Sequence, residues 1–340
     1  MSIAFGPERW DKVREVYGLW WEGKLERPIL PVALQGRDPG RSKPDTSLLS
    51  QTNCTDLSIP AKDLIDRIDY ELSQVVFLGD AFPYFNMHVF GPGVAAAFLG
   101  AEIDNSTGRV WFHPKKLLPI TELHFEYDPD NIWLNRLREI YREGMKRWQG
   151  QVLMGMTDLG GALDILSTFR PSENLLLDLY DYPEEVKRLT WELSGLWKQF
   201  YRELNDVLQP VNPGYSDWSQ IYSDKPGYIL QCDFSYMIGP DMFDEFVKPE
   251  LESMCSYLSH SFYHLDGVGQ LPHLDSILAI RELGGVQWVP GDGKPAQSHW
   301  PEVYRRIQSA GKNSQFWGGF DGLDTLVSCL GSGKGIHHPT

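Results

Sequence analysis

Between residues 229 and 307, one pattern occurs three times: an apolar strand, polar residues at the end of the strand, and then a helix. This repeat constrains the fold more than any other feature of the chain. The strands of the three units lie near residues 229–234, 262–267 and 286–293, and a segment with helical periodicity follows each one. Alternating strands and helices are typical of a parallel sheet. The repeat therefore predicts an α/β fold, and we expect a (β/α)8 TIM barrel.

The rest of the chain fits one barrel domain over residues 1–340, because it contains no linker or low-complexity tract. Further strands are predicted at residues 29–34, 75–80, 151–158 and 315–321, and residues 98–113 indicate an inserted hairpin. After a short helix at residues 323–330, the remaining segment is too short for another strand and helix, since a helix rises about 1.5 Å per residue. We expect an incomplete eighth βα unit, with a terminus that is poorly ordered or packs on the partner of a homodimer.

The composition excludes several classes of function. The formal net charge is −15, which disfavours binding to nucleic acids and to anionic membranes by charge repulsion. No apolar run approaches the roughly 18 residues of a membrane-spanning helix, and the first residues lack the pattern of a signal peptide. The four cysteines have no CxxC spacing, which is typical of reduced thiols. We therefore expect a cytoplasmic protein that acts on a small molecule.

Polar residues follow the predicted strands, and in a parallel barrel all these strand ends meet on one face. His264 and Asp266 are two residues apart on a strand, so their side chains point the same way. We expect them to bind a metal or to move protons. The same placement makes Asp80 and Asp233 further catalytic candidates and Cys232 a third metal ligand. The candidates for substrate binding are Asp158, Gln287, Trp288, Tyr84 and Asp292.

Structural explanations compete with several of these roles. Cys232 and Asp233 are adjacent, so only one of them faces the barrel interior, and a small buried cysteine is common in a core. Asp158 precedes a Leu-Gly-Gly segment and fits a capping role as well as a functional one. Trp288 is typical of core packing. For His264 and Asp266, the alternative to a metal-binding or acid–base pair is that Asp266 caps the next loop and His264 is a hydrogen-bonded core residue.

The chain resembles the uroporphyrinogen decarboxylase superfamily in four segments. The longest begins with Gln231-Cys-Asp-Phe-Ser-Tyr-Met-Ile-Gly-Pro-Asp-Met-Phe, and the others are Gly79-Asp-Ala-Phe-Pro, His264-Leu-Asp-Gly and Gly318-Gly-Phe-Asp. The superfamily includes the decarboxylase and the zinc-dependent methyltransferases that act with corrinoid proteins. The resemblance implies a TIM barrel with its pocket at the strand carboxyl ends, with zinc at the His264 segment and a corrinoid protein as partner.

Two departures from the family pattern bear on the reaction. Residues 29–36 contain no arginine, whereas the decarboxylases bind their substrate carboxylates through arginines there. Asp266 stands where the methyltransferases have a cysteine ligand, and Lys334 lies in the segment that resembles their last ligand motif. We expect a corrinoid-linked methyltransferase that acts on a small methylated compound. The alternatives are a decarboxylase of a smaller substrate and a non-catalytic barrel that binds a tetrapyrrole or corrinoid.

Five of the strand-end residues are aspartates, without matching cations in the predicted mouth. Like charges and burial both raise carboxyl pKa values, so we expect either a bound cation or a protonated aspartate. A cation would also suit aromatic residues near the strand ends, among them Trp218 and Trp317. The sequence therefore predicts that methylated amines bind better than neutral methyl ethers or anionic substrates.

Overall fold

The computed structural model describes residues 3–339, which form a mixed α/β structure. The strands are β1 (Pro31–Gln35), β2 (Val75–Gly79), β3 (Tyr84–Phe85), β4 (Glu102–Asp104), β5 (Trp111–His113), β6 (Leu153–Met154), β7 (Gly227–Gln231), β8 (His260–Asp266), β9 (Gly285–Val289), β10 (Asn313–Gln315) and β11 (Ile336–His337). The α-helices are α1 (Pro7–Trp21), α2 (Ala61–Ser73), α3 (Ala95–Phe98), α4 (Ile132–Trp148), α5 (Ala162–Phe169), α6 (Ser172–Asp181), α7 (Pro183–Leu208), α8 (Pro240–Phe246), α9 (Lys248–Tyr257), α10 (Leu274–Leu278), α11 (Pro301–Ser309) and α12 (Phe320–Leu330). Short 3-10 helices span His88–Phe90, Ile120–Glu122, Asp233–Met237, Val268–His273 and Gln297–His299.

The main sheet contains five parallel strands in the order β11-β10-β9-β8-β7. Ile29 extends it through a parallel bridge to His337, and β3 and β6 form a separate parallel pair. Helices follow β7, β8, β9 and β10 along the chain, which confirms the parallel α/β fold predicted from the repeat. The strand pairing within residues 3–339 does not close into a barrel.

The predicted second strand has a different partner from the one expected. Strand β2 runs antiparallel to β1, with Pro31 opposite Gly79, so its prediction as a parallel barrel strand is wrong. Leu34, Val76 and Leu78 are exposed on this two-stranded ribbon. An apolar run of this length predicts a strand but does not specify its neighbour. The parallel position next to β6 belongs instead to β3, inside the aromatic segment that follows.

The predicted hairpin is present, but the strand predicted at residues 315–321 is wrong in its bounds, because β10 ends at Gln315 and a helix begins at Phe320. Strands β4 and β5 pair antiparallel, and the Gly108 N–H donates to the Asn105 carbonyl at 3.0 Å across the turn, which confirms the hairpin. Strand β11 lies beside β10, and His337 and His338 are fully buried. No helix follows β11 within the described residues.

Large aromatic side chains connect the helices to the sheet. Helix α1 buries Trp10, Val13, Tyr17 and Trp20, which recur every three or four residues and therefore lie on one face. Trp20 stacks on Phe262 of β8, with ring centroids 5.8 Å apart. Loss of such a side chain to alanine costs about 3–5 kcal/mol. No helix among residues 3–339 has the length and apolar character needed to cross a membrane.

Candidate metal and substrate site

A cavity of about 580 Å³ opens at the carboxyl ends of the parallel strands. Asp158, Asp233 and His264 lie in its wall together with Trp218 and Trp317. None of the described residues that line it is a lysine or arginine. The cavity therefore combines acidic and aromatic walls, and its volume is in the range of small-molecule sites.

Asp233, His264 and Asp266 form a cluster in which one ligand atom from each side chain lies within 4.8 Å of the others. His264 and Asp266 project from the same face of β8, as the two-residue period of a strand requires, and His264 Nε2 lies 4.0 Å from Asp266 Oδ2. Asp233 comes from the turn after β7, the neighbouring strand. The parallel register therefore brings the three side chains together.

Gly267 ends β8 in a conformation that glycine adopts readily. Its φ is +82°, and a Cβ atom there would lie 2.7 Å from the ring of Tyr236. The Gly267 N–H donates to the Val289 carbonyl at 2.7 Å. Any larger residue would displace the turn that follows Asp266.

The contacts of His264 orient its imidazole. Its Nδ1 is hydrogen-bonded to the side-chain oxygen of Gln287, and its ring lies edge-on to Trp218, with centroids 4.9 Å apart and planes at 87°. Burial lowers the His264 pKa, although Asp266 acts in the opposite direction. The ring is therefore neutral near neutral pH, and its Nε2 is the atom on the side of the carboxylates.

Carboxyl groups around the cavity hold their protons more tightly than usual. Burial raises the pKa of Asp158 to about 7 and that of Asp233 to about 6, with Asp266 contributing to the second shift. The pKa of Asp164 is raised to about 7 by burial and by Asp233. Asp164 accepts hydrogen bonds from the backbone N–H groups of Asp233, at 3.1 Å, and Phe234, at 2.8 Å. It thus holds the turn that carries Asp233.

The Asp233–His264–Asp266 cluster has a donor set that fits a divalent transition metal. Imidazole and carboxylate are both zinc ligands, and three protein ligands leave a position for substrate, as in catalytic zinc sites. Since a bound cation stabilises ionised carboxylates, it would also lower the raised pKa of Asp233.

Cys232 lies outside this cluster. It is buried among Leu230, Tyr263 and Glu250 on the other side of the strand end, because adjacent residues in extended backbone point in opposite directions. Burial raises the pKa of its thiol well above the usual value. The structure therefore brings Asp233, and not Cys232, to the two β8 residues.

Asp80 is engaged in an ion pair away from the cavity. Arg27 donates to its two carboxylate oxygens at 2.6 and 2.8 Å, and the Leu30 N–H donates at 2.8 Å. The Asp80 side chain is 4% exposed. These contacts tie the start of the first strand segment to the end of β2, which is a structural role.

Three of the predicted substrate-binding residues lie apart from the cavity wall. Trp288 is fully buried and packs edge-on against Trp300, at 5.5 Å. The Tyr84 hydroxyl donates to the Asp217 carbonyl. Asp292 is exposed in a loop and accepts from its neighbour Gly293. Of the five candidates, Asp158 lines the cavity and Gln287 contacts His264.

The loop at residues 216–220 supplies Trp218, noted from the sequence as an aromatic near a strand end, and also Ser219 and Gln220, which the sequence did not indicate. Asp217 is buried and accepts from the Ser219 N–H at 2.8 Å and the Ile229 N–H at 2.7 Å. Gln220 lines the cavity with φ +62°, a left-handed conformation. Strained backbone of this kind concentrates at functional sites. The polar and aromatic segment Asp217-Trp-Ser-Gln is the signal in the sequence that could have indicated this loop.

Comparison with known proteins gives a fold relationship. The chain matches no known family and no curated protein sequence. It is similar in structure to a methyltransferase from Methanosarcina mazei, with a TM-score of 0.59 and 12% sequence identity. The match covers 96% of this chain and 92% of that protein. At this identity the likeness concerns the fold, and it extends over almost the whole chain.

Proposed function

We propose that the protein is a metal-dependent methyltransferase that takes a methyl group from a small methylated compound. The observation that carries this proposal is the Asp233–His264–Asp266 cluster in the wall of a substrate-sized cavity. The fold likeness to a methyltransferase supports it, as does the resemblance of the chain to the uroporphyrinogen decarboxylase superfamily. In this proposal the parallel strands belong to a barrel of that type.

Zinc is the metal that we propose for the cluster, held by Asp233, His264 and Asp266. When bound there, it would act as a Lewis acid on a donor heteroatom that has a free electron pair, as in a neutral amine or an ether. A quaternary ammonium nitrogen has no such pair and would leave as a neutral amine without metal coordination. His264 presents a neutral nitrogen, and the two carboxylates supply negative charge. Asp158, whose pKa is raised to about 7 by burial, is partly protonated near neutrality and lines the same cavity.

The methyl acceptor in this proposal is a cobalt(I) corrinoid carried by a partner protein. The corrinoid would supply the electron pair that accepts the methyl group, and the carbon–heteroatom bond would break as the methyl group leaves. The heteroatom keeps the electrons of the broken bond and takes a proton, for which Asp158 is the candidate donor. Trp317 is exposed after β10 and lines the cavity, which gives the mouth an apolar surface suited to a macrocycle.

The cavity wall argues against decarboxylation of a polycarboxylate. Charged carboxylates are bound in proteins by arginine and lysine through paired hydrogen bonds. Neither residue occurs among the described residues that line the cavity, whereas Asp158 and Asp233 do. An anionic substrate would meet like charge at this wall. A cationic or neutral methyl donor would not.

Metal analysis and a methyl-transfer assay test the proposal together. The purified protein is loaded with zinc, and methylcobalamin formation from cobalt(I) cobalamin is followed with a panel of methylated amines and methyl ethers. We expect about one tightly held zinc per chain and transfer from at least one donor. His264→Ala should lose both properties, while His299→Ala, which alters an exposed histidine outside the cavity, should keep both. Methyl transfer by zinc-free protein, or by His264→Ala, would refute the metal site.

A further inference from the structure

Five polar side chains form a row across the main sheet, level with the candidate metal site. Gln231, His264, Gln287, Gln315 and His337 are register partners on β7, β8, β9, β10 and β11. Gln287, Gln315 and His337 are each 0% exposed. Buried polar groups of this kind need hydrogen-bond partners. From His264 to His337, neighbouring side chains of the row are hydrogen-bonded to one another.

The backbone of Ser219 fixes the orientation of the Gln315 amide. A Gln315 side-chain nitrogen lies 2.7 Å from the Ser219 carbonyl oxygen, and a carbonyl can only accept a hydrogen bond. The group of Gln315 at that position is therefore the NH2. The same NH2 lies 3.0 Å from Nδ1 of His337, so its second hydrogen is donated to that nitrogen.

The remaining hydrogen bonds follow from this single acceptor. With its NH2 engaged, Gln315 offers its oxygen to Gln287, and so Gln287 must donate through its own NH2. The oxygen of Gln287 then faces Nδ1 of His264. An amide oxygen only accepts, so Nδ1 must carry the proton. In the neutral ring, Nε2 is then unprotonated.

We infer that Gln287 and Gln315 are positioning residues that hold His264 in the Nδ1–H tautomer, with an unprotonated Nε2 towards Asp233 and Asp266. This inference rests on the proposed function, because His264 needs a free electron pair at Nε2 in order to bind a metal. The two carboxylates by themselves favour the opposite tautomer, since an Nε2–H would be attracted to Asp266, 4.0 Å away. The row of amides opposes that attraction.

The tautomer of His337, at the other end of the row, is also set by its hydrogen bonds. His337 Nδ1 accepts from Gln315, so its proton is on Nε2, which lies 3.2 Å from the Tyr17 hydroxyl. Burial lowers the His337 pKa to about 3. The ring thus stays neutral over the working pH range, and its Nδ1 remains an acceptor.

Nitrogen-15 NMR of the histidine side chains in the wild-type protein, without added metal, tests the inference directly. We expect the His264 ring to show a protonated Nδ1 and an unprotonated Nε2, and His337 to show the reverse, with assignments made from His264→Ala and His337→Ala spectra. A proton on Nε2 of His264 would overturn the inference. This spectrum tests the tautomer in the wild-type protein, without any substitution at Gln287 or Gln315.

Variants separate positioning from packing. Gln287→Leu and Gln315→Leu should each give a mixture of His264 tautomers and lower zinc affinity by about 10- to 100-fold. Gln287→Glu should retain the Nδ1–H tautomer, because in its protonated form one carboxyl oxygen accepts from Nδ1 and the O–H donates to Gln315 in place of the NH2, and it should keep zinc affinity close to wild type. Gln270→Leu is the matched control, since Gln270 is buried and hydrogen-bonded to Tyr263 outside the row. Folded leucine variants that keep wild-type tautomer and zinc affinity would refute the inference.

The tautomer measurement is independent of the reaction. A His264 ring with Nδ1–H in a protein that transfers no methyl group would contradict the proposed function alone. Methyl transfer by a protein whose His264 carries Nε2–H would contradict this inference alone.

Discussion

Replacing Asp158 by asparagine should stabilise the folded protein at neutral and alkaline pH. The Asp158 side chain is buried, and its Oδ1 accepts from the Gly160 N–H at 2.9 Å and from the Gly93 N–H at 3.4 Å. An asparagine oxygen can accept both hydrogen bonds. The substitution therefore removes a charge and preserves the packing.

The size of the effect follows from the pKa of Asp158, which burial raises to about 7. Between this value and the unfolded-state value near 3.9, the folded protein binds more protons at this site than the unfolded chain, so stability falls as the pH rises. Linkage gives a penalty of about 4 kcal/mol at pH 8 and about 1.5 kcal/mol at pH 5. Asp158→Asn should remove this penalty.

Urea unfolding of the wild type and Asp158→Asn at pH 5 and pH 8, followed by circular dichroism, measures the free energies of unfolding. The stability gain should be about 2–3 kcal/mol larger at the higher pH. Asp292→Asn, in an exposed loop away from the cavity, serves as the control and should leave stability unchanged at both. An equal effect of Asp158→Asn at the two pH values would refute the argument. If Asp158 supplies a proton to the leaving heteroatom, the more stable variant should also be the less active one.

Three further predictions concern the cavity and its surroundings. Asp80→Asn should destabilise the fold by about 1.5–3 kcal/mol, because it weakens the charge-assisted hydrogen bonds from Arg27, while leaving zinc affinity unchanged; an unfolding curve equal to wild type would contradict this role. Glycine betaine should bind more tightly than a methoxylated benzoate by titration calorimetry, because the wall is acidic and aromatic, and tighter binding of the benzoate would show that the polarity is misjudged. Trp218→Leu should weaken binding of the betaine by about 1–2 kcal/mol with little effect on zinc content, and an unchanged betaine affinity would exclude that contact.

The partial agreement between sequence and structure at the site has a physical cause. His264 and Asp266 were predictable as a pair because the two-residue period of a strand is a local property. Their meeting with Asp233 follows from the parallel register of β7 and β8. The choice between Cys232 and Asp233 depended on which of two adjacent side chains faces the cavity, and the apolar pattern around them was compatible with either.

By itself, the sequence determined the alternation of strands and helices, the hairpin at residues 98–113 and the acidic character of the strand ends, because these depend on neighbouring residues. Tertiary structure decided which strands pair and which polar groups become partners. Asp80 became the partner of Arg27, 53 positions away, and Gln315 met the carbonyl of Ser219, 96 positions away. Hydrogen bonds between such distant residues depend on how the whole chain packs, and no local pattern encodes them.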